Sequence, residues 1–165
     1  MTEFEKNERE LRLHRCCFTG HRPEKLRASE AEVRLALRRE ILRAVEEGYV
    51  TFLTGMARGV DLWAAEEVLA QREAHGLRLI AVLPHPDFDA RWNAAARLLY
   101  GKVLRAADHT VTVSPAFDMG AYQRRNRYMV DHSSLVIAAF DGTPGGTRNT
   151  VLYAGGQGIP VRNVL

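Results

Sequence analysis

A short apolar run, Tyr49 to Leu53, leads into Thr54-Gly55-Met56-Ala57-Arg58-Gly59-Val60-Asp61 and then into the helical run Leu62-Trp63-Ala64-Ala65-Glu66-Glu67-Val68-Leu69. Strand, glycine turn and helix in that order form the repeating unit of parallel α/β folds, and this restricts the chain more than any other stretch does. Glycine lets the backbone turn sharply and lets a ligand come close to the amides. The first turn of a helix carries unpaired N–H groups and a partial positive charge that attract anions. The loop therefore reads either as a cradle for phosphate or carboxylate, or as a βα turn in which glycine only relieves strain.

The same alternation runs through the chain. Strands are predicted at Arg15–Thr19, Val50–Thr54, Leu77–Leu83, His109–Val113, Leu135–Phe140 and Ile159–Val164. Ser29 followed by Glu32 is a capping box. The helix it opens carries Val33, Leu37, Ile41 and Val45 on one stripe and ends at Gly48. Helices follow at Val60–His75, at a stripe of Trp92, Ala96, Leu99 and Val103, at Ala121–His132, and after Thr147. The nearly continuous apolar run Leu77–Leu83 suits a strand covered on both faces. The expected fold is α/β: a Rossmann-like, doubly wound, mainly parallel sheet of five to six strands flanked by helices. The expected strand order is 3-2-1-4-5, with the sixth strand at an edge and antiparallel pairing open to it. Residues 1–13 form a polar N-terminal segment, frayed or a loosely docked helix, and residues 14–165 one domain.

With 165 residues the chain is long enough for a sizeable core. No apolar run approaches the ~20 residues needed to span a bilayer. The charged stretch Met1–Arg15 has no apolar signal core, so no membrane partner and a cytoplasmic location are expected. Cys16 and Cys17 are the only cysteines, and adjacent residues make a strained disulfide, so both are expected reduced in the first strand. Net charge is +3, with 20 Arg against 3 Lys. Arg pairs well with phosphate, yet Arg34, Arg38, Arg39 and Arg43 fall on one helix face that reads as a solvated surface.

In doubly wound sheets ligands bind beyond the carboxyl ends of the strands, at the point where strand order reverses. That point is expected between strands one and four. The unusual residues fall at strand ends: Gly20, His21 and Arg22; Gly55, Arg58, Gly59 and Asp61; Pro84 and His85; Asp141, Gly145, Gly146 and Thr147. The Gly55–Gly59 and Gly145–Thr147 loops offer amides to phosphate oxygens. Arg22 and Arg58 can make bidentate phosphate contacts. Asp61 accepts from a ribose hydroxyl or caps its own helix. Thr147 adds a hydroxyl or caps the last helix. His21 is a loop hydrogen-bonder or an acid/base, and His85 is structural. Within Arg124-Arg125-Asn126-Arg127, Arg124 and Arg127 are surface neighbours, which turns Arg125 or Asn126 toward the strand ends. The His, Asp and Cys residues show no metal-ligand spacing.

Phe18-Thr19-Gly20-His21-Arg22-Pro23-Glu24-Lys25-Leu26 resembles the opening motif of the YpsA-like family within the SLOG superfamily. Thr54-Gly55-Met56-Ala57-Arg58-Gly59-Val60-Asp61 resembles the glycine loop of the DNA-processing protein A family of the same superfamily. Arg125-Asn126-Arg127 and Gly145-Gly146-Thr147 match superfamily motifs, and the resemblance spans roughly residues 15–160 in order. It implies a Rossmann-like fold and a nucleotide or nucleotide-derived ligand, with no named reaction. The related LOG phosphoribohydrolases carry a Pro-Gly-Gly-x-Gly-Thr-x-x-Glu motif. Here Arg148 and Asn149 replace the Gly-Thr, and Leu152, or in the other register Thr150, stands where the glutamate belongs. Glu66 and Glu67 are nearby carboxylates at helix positions expected to face solvent.

A nucleotide-binding or sensing protein without metal or cofactor is the first reading. An N-glycosidase-type hydrolase is the alternative, and a single-stranded DNA binder comes third. The expected partner is a nucleotide-like small molecule, with nucleic acid ranked below it and a homo-oligomer left open. The expected ligand contacts are Gly20, His21, Arg22, Gly55, Arg58, Gly59, Asp61, Arg125, Asn126, Asp141, Gly145, Gly146 and Thr147.

Overall fold

The structure, a computed structural model, describes residues 2–165. Its elements run α1 (Glu3–Arg12), β1 (Arg15–Gly20), a 3-10 turn (Pro23–Lys25), α2 (Glu30–Glu46), β2 (Thr51–Thr54), α3 (Val60–His75), β3 (Arg78–Leu83), α4 (Ala94–Ala106), β4 (His109–Thr112), α5 (Ala121–Asp131), β5 (Leu135–Ala139), α6 (Gly146–Gly156) and β6 (Val161–Asn163). The strands make one six-stranded sheet in the order β4-β3-β2-β1-β5-β6, and every pairing is parallel.

This order corrects the expected 3-2-1-4-5. β4 lies outside β3, and β5 takes the place beside β1. The sixth strand is at an edge as expected, but it is parallel. Composition explains the exchange. His109-Thr110-Val111-Thr112 has three polar residues in four and is mostly exposed, which suits an edge. Leu135-Val136-Ile137-Ala138-Ala139 is buried throughout, which suits the centre. The chain reverses direction after β4, so the switch point falls between β1 and β5.

The sheet has a core on each face. Cys16 and Phe18 point into one, with Val33, Leu37 and Ile41 of α2, Val68 of α3 and Val103 of α4. Cys17, Leu53 and Val82 point into the other, with Met129 of α5 and Ala154 of α6. Adjacent residues of a strand face opposite sides, so the two cysteines are both buried and both free, one per core. Burial pushes both thiols up, Cys17 to about 12.

Ser29 and Glu32 form the expected capping box on α2. α4 starts one residue after Asn93, whose Oδ1 accepts from Ala96 N at 2.9 Å. Trp92 therefore precedes the helix and packs instead on Phe88 and Tyr100. α1 is capped by Thr2 and has no buried residue. It is tied to the body by Arg12, which donates to Ser133 O at 3.0 Å, and by the Glu8–Arg15 pair.

Two surface expectations are corrected. Arg38, Arg39 and Arg43 are exposed as expected, but Arg34 is half-buried and reaches from α2 to Glu66 of α3 (2.6 Å), and the exposed Arg38 pairs with Glu67 of α3 (3.0 Å). Glu67 is only 5% exposed. These helices pack side by side, and paired charges are the form in which carboxylates are tolerated in such a seam.

Candidate functional site

Because β1, β2, β3 and β5 are parallel, the loops that follow them leave one edge of the sheet. They surround a cleft of about 290 Å3 at the switch point. Of the thirteen candidate residues, Gly20, His21, Arg22, Asp61, Arg125, Asn126, Gly146 and Thr147 line it. Lys25, Phe88 and Tyr122 line it as well and escaped the sequence reading.

The loop after β2 is packed by protein. Gly59, at φ +87°, lies against Pro23: a Cβ there would come 2.7 Å from Pro23 Cδ. A Cβ on Gly20 would come 2.5 Å from Val60 Cβ. These two glycines let β1's exit, the β2 loop and the start of α3 touch. Met56, fully buried, takes a positive φ of 62°, and the Thr54 hydroxyl donates to Asp61 O at 2.9 Å. Arg58 turns outward and pairs with Glu24 at 2.7 Å. Gly55, Arg58, Gly59, Asp141 and Gly145 are beside the cleft and are not part of its lining.

Asp61 neither caps its helix nor faces bulk water. Gly59 is the N-cap position and has no side-chain cap. Asp61 Oδ2 accepts from Ala57 N at 3.2 Å. The residue is 6% exposed, and burial raises its pKa to about 6 against the opposing pull of Arg125 and the Ala57 amide. Arg125 is equally buried. It points to the strand ends, as the spacing in α5 predicts. It donates to Gly55 O and to Asn126 Oδ1, and it lies 5.4 Å over the Phe88 ring. Burial lowers its pKa, with Asp61 opposing.

Opposite these residues, α6 starts at Gly146 behind an N-cap glycine, Gly145, at φ +145°. Thr147 is inside the helix and does not cap it, so no side chain closes the first turn. Lys25 Nζ is 3.4 Å from where a Cβ on Gly145 would be. The lining therefore joins three cations, Arg22, Lys25 and Arg125, to open helix amides, an arrangement suited to an anion. His21 is buried, and its Nε2 lies 2.7 Å from Asp141 Oδ1. Hydrogen bonds from Thr143, aided by His21, hold Asp141 at about 2. His85 is packed among Phe88, Phe117 and Tyr122, in keeping with a structural role. Among the described residues no group of three or more His, Cys, Asp or Glu could hold a metal ion.

Sheet order, layers and a cleft at the reversal point define a Rossmann-like α/β protein. The family model for YpsA, described as the YspA SLOG family, matches residues 16–154, and the chain belongs to that family. The SPbeta prophage-derived protein YoqJ of Bacillus subtilis (strain 168) is 31% identical over 140 residues, covering 73% of this chain and 81% of YoqJ. Among solved structures, DNA processing protein A from Streptococcus pneumoniae is similar with TM-score 0.67 at 20% identity over 93% of this chain. This chain spans half the length of that one. DNA processing protein A from Helicobacter pylori, described for its single-stranded DNA binding mode, gives TM-score 0.64 at 18% identity, covering 95% of this chain and 67% of the other. These two likenesses show the fold. Among the described residues no helix is long and apolar enough to cross a membrane.

Proposed function

We propose that the chain binds, and through binding senses, a nucleotide or nucleotide-derived ligand at the switch-point cleft. The carrying observation is the meeting of Arg22, Lys25 and Arg125 with the uncapped first turn of α6. Three cations and open amides around one cavity favour a phosphate-bearing ligand. Gly146 and Thr147 supply the amides, Arg22 and Lys25 exposed charges, and Arg125 a buried one. Gly20 and Asn126 complete the walls. The His21–Asp141 pair stiffens the loops behind them.

One observation favours hydrolysis as a second reading. Asp61 is a cleft carboxylate whose pKa is raised to about 6, in the range where a side chain both takes and gives up protons near neutral pH. Hydrolysis of a nucleotide's glycosidic bond would need such a group. A single-stranded nucleic acid is the remaining occupant, supported by the exposed Phe117 and Met119 beside the cleft residue Tyr122.

A thermal-shift panel of nucleoside phosphates, ADP-ribose derivatives and unphosphorylated nucleosides tests the reading. A ligand at 100 times its Kd adds about 2.7 kcal/mol of apparent stability. The expected result is a rise in Tm for phosphorylated members and none for the bare nucleosides. A panel with no shift overturns the proposal.

A further inference from the structure

A second cavity of about 220 Å3 adjoins the cleft between the starts of α5 and α6. The two share Tyr122, Asn126 and Gly146 as walls. Neither alone reaches the roughly 300–1,000 Å3 of small-molecule sites, whereas the two joined do.

Their chemistry differs. The first is cationic. The second is lined by the amide side chains of Gln123, Asn126 and Asn149, by two tyrosines and by Met119. Its one charged lining residue, Arg127, lies 5.0 Å over the Tyr153 ring. The Tyr153 hydroxyl donates to Asp131 at 2.6 Å, and the Thr150 hydroxyl donates to Gly146 O at 2.9 Å. Those groups are occupied within the fold. The amides of Gln123 and Asn149 make no hydrogen bond to the protein among the described residues, and Asn126 uses only its oxygen, toward Arg125. Primary amides present a donor and an acceptor side by side, the pattern that matches the edge of a nucleobase. Met119 is 95% exposed, and the rim of Tyr122 adds apolar surface for a flat ring.

Gly146 is a wall of both cavities, and a Cβ there would meet only Asn126 Nδ2, at 3.9 Å, so no side chain fills the space over this shared wall.

From this juxtaposition we infer that the second cavity is a nucleobase subsite. A ligand places its phosphate among Arg22, Lys25 and Arg125, passes over Gly146, and lays its base against Tyr122 and Met119 with its edge on Gln123 and Asn149. The inference rests on the proposed function, since it needs the phosphate in the first cavity. It adds a requirement for a ring on the same molecule.

Calorimetry with AMP and with ribose 5-phosphate separates the two claims, using the wild type and a Gln123→Ala/Asn149→Ala double variant. Both positions are exposed surface residues of helices, so the variant keeps the fold, checked by its Tm. The expected result is that AMP binds the wild type at least about tenfold more tightly than ribose 5-phosphate, as base stacking and one amide pair are each worth about that factor. In the double variant that advantage falls by about tenfold, to what stacking on Tyr122 and Met119 supplies, while ribose 5-phosphate is unaffected. Equal binding of the two probes to the wild type, or an advantage that survives undiminished in the variant, overturns the base subsite and leaves the phosphate site standing. Failure of both probes to bind the wild type overturns the subsite and the proposed function together.

Discussion

The Arg125 guanidinium and the Asp61 carboxylate each come up against Gly55 without pairing directly. A Cβ at that position would come 2.8 Å from Arg125 Nη1 and 2.9 Å from Asp61 Oδ2. One glycine thus lets the loop after β2 pass beneath a cation from α5 and an anion from α3, and it gives its own carbonyl to the cation. The two charges form the floor of the cleft.

The buried carboxylate makes stability depend on pH with a definite sign. Asp61 moves from an ordinary 3.8 to about 6 in the fold, so the native state holds the proton more tightly than the unfolded chain. Its stabilising contribution is full below pH ~4 and is lost as pH rises through ~6, a fall of about 3 kcal/mol. Asp141 works in the opposite sense and in a lower window: held at about 2, it favours the fold above its unfolded pKa and loses that effect as pH falls toward 2. Denaturation curves from pH 4 to 7 on wild type and Asp61→Asn isolate the first effect. The expected outcome is a decline in the wild type that the Asn variant lacks. Parallel curves would show that Asp61 is not desolvated as described.

Gly20 is a packing position. Gly20→Ala places a methyl 2.5 Å from Val60 Cβ, an atom that cannot swing aside because it belongs to the first residue of α3. Overpacking of this kind costs about 1–3 kcal/mol. Urea denaturation should show that loss. An unchanged midpoint would mean that β1 and α3 are less closely joined than the structure has them.

Cys16 and Cys17 should react slowly in the native protein, since both are fully buried and burial raises both thiol pKa values. Thiolate is the reactive form. A thiol reagent is expected to label neither residue quickly under native conditions and both after denaturation. Fast labelling of two thiols in the folded protein would contradict the placement of one cysteine in each core.

Much of the fold was legible because it is written in local pattern. The apolar stripe of α2, its Ser29 and Glu32 cap, and the alternation of strands with helices are short-range signals. Strand order is a long-range property, yet a clue was present: His109-Thr110-Val111-Thr112 is too polar for a central strand, and Leu135–Ala139 is apolar throughout. About half of the cleft lining followed from one rule, that loops after parallel strands share an edge. The rest depended on partners distant in sequence. Arg58 looked like a ligand contact because nothing local shows that Glu24, 34 positions earlier, takes up its charge. Phe88, in a loop with two prolines, and Tyr122, in the first turn of α5, carry no local sign of the cleft they line. Lys25 was visible within the opening motif, but only the turn of Pro23–Lys25 brings it to the start of α6.

Calorimetry with ADP-ribose, comparing wild type, Arg22→Ala and Arg58→Ala, tests the central claim most directly. Arg22 lines the cleft and Arg58 is paired outside it. A charge-assisted contact is worth about 1.5–3 kcal/mol, so Arg22→Ala should weaken binding by roughly one to two decades. Arg58→Ala removes an exposed ion pair and should change affinity by less than about threefold. Wild-type binding that Arg22→Ala leaves intact in a folded protein, or no binding to the wild type at all, would contradict an anion site at the switch point.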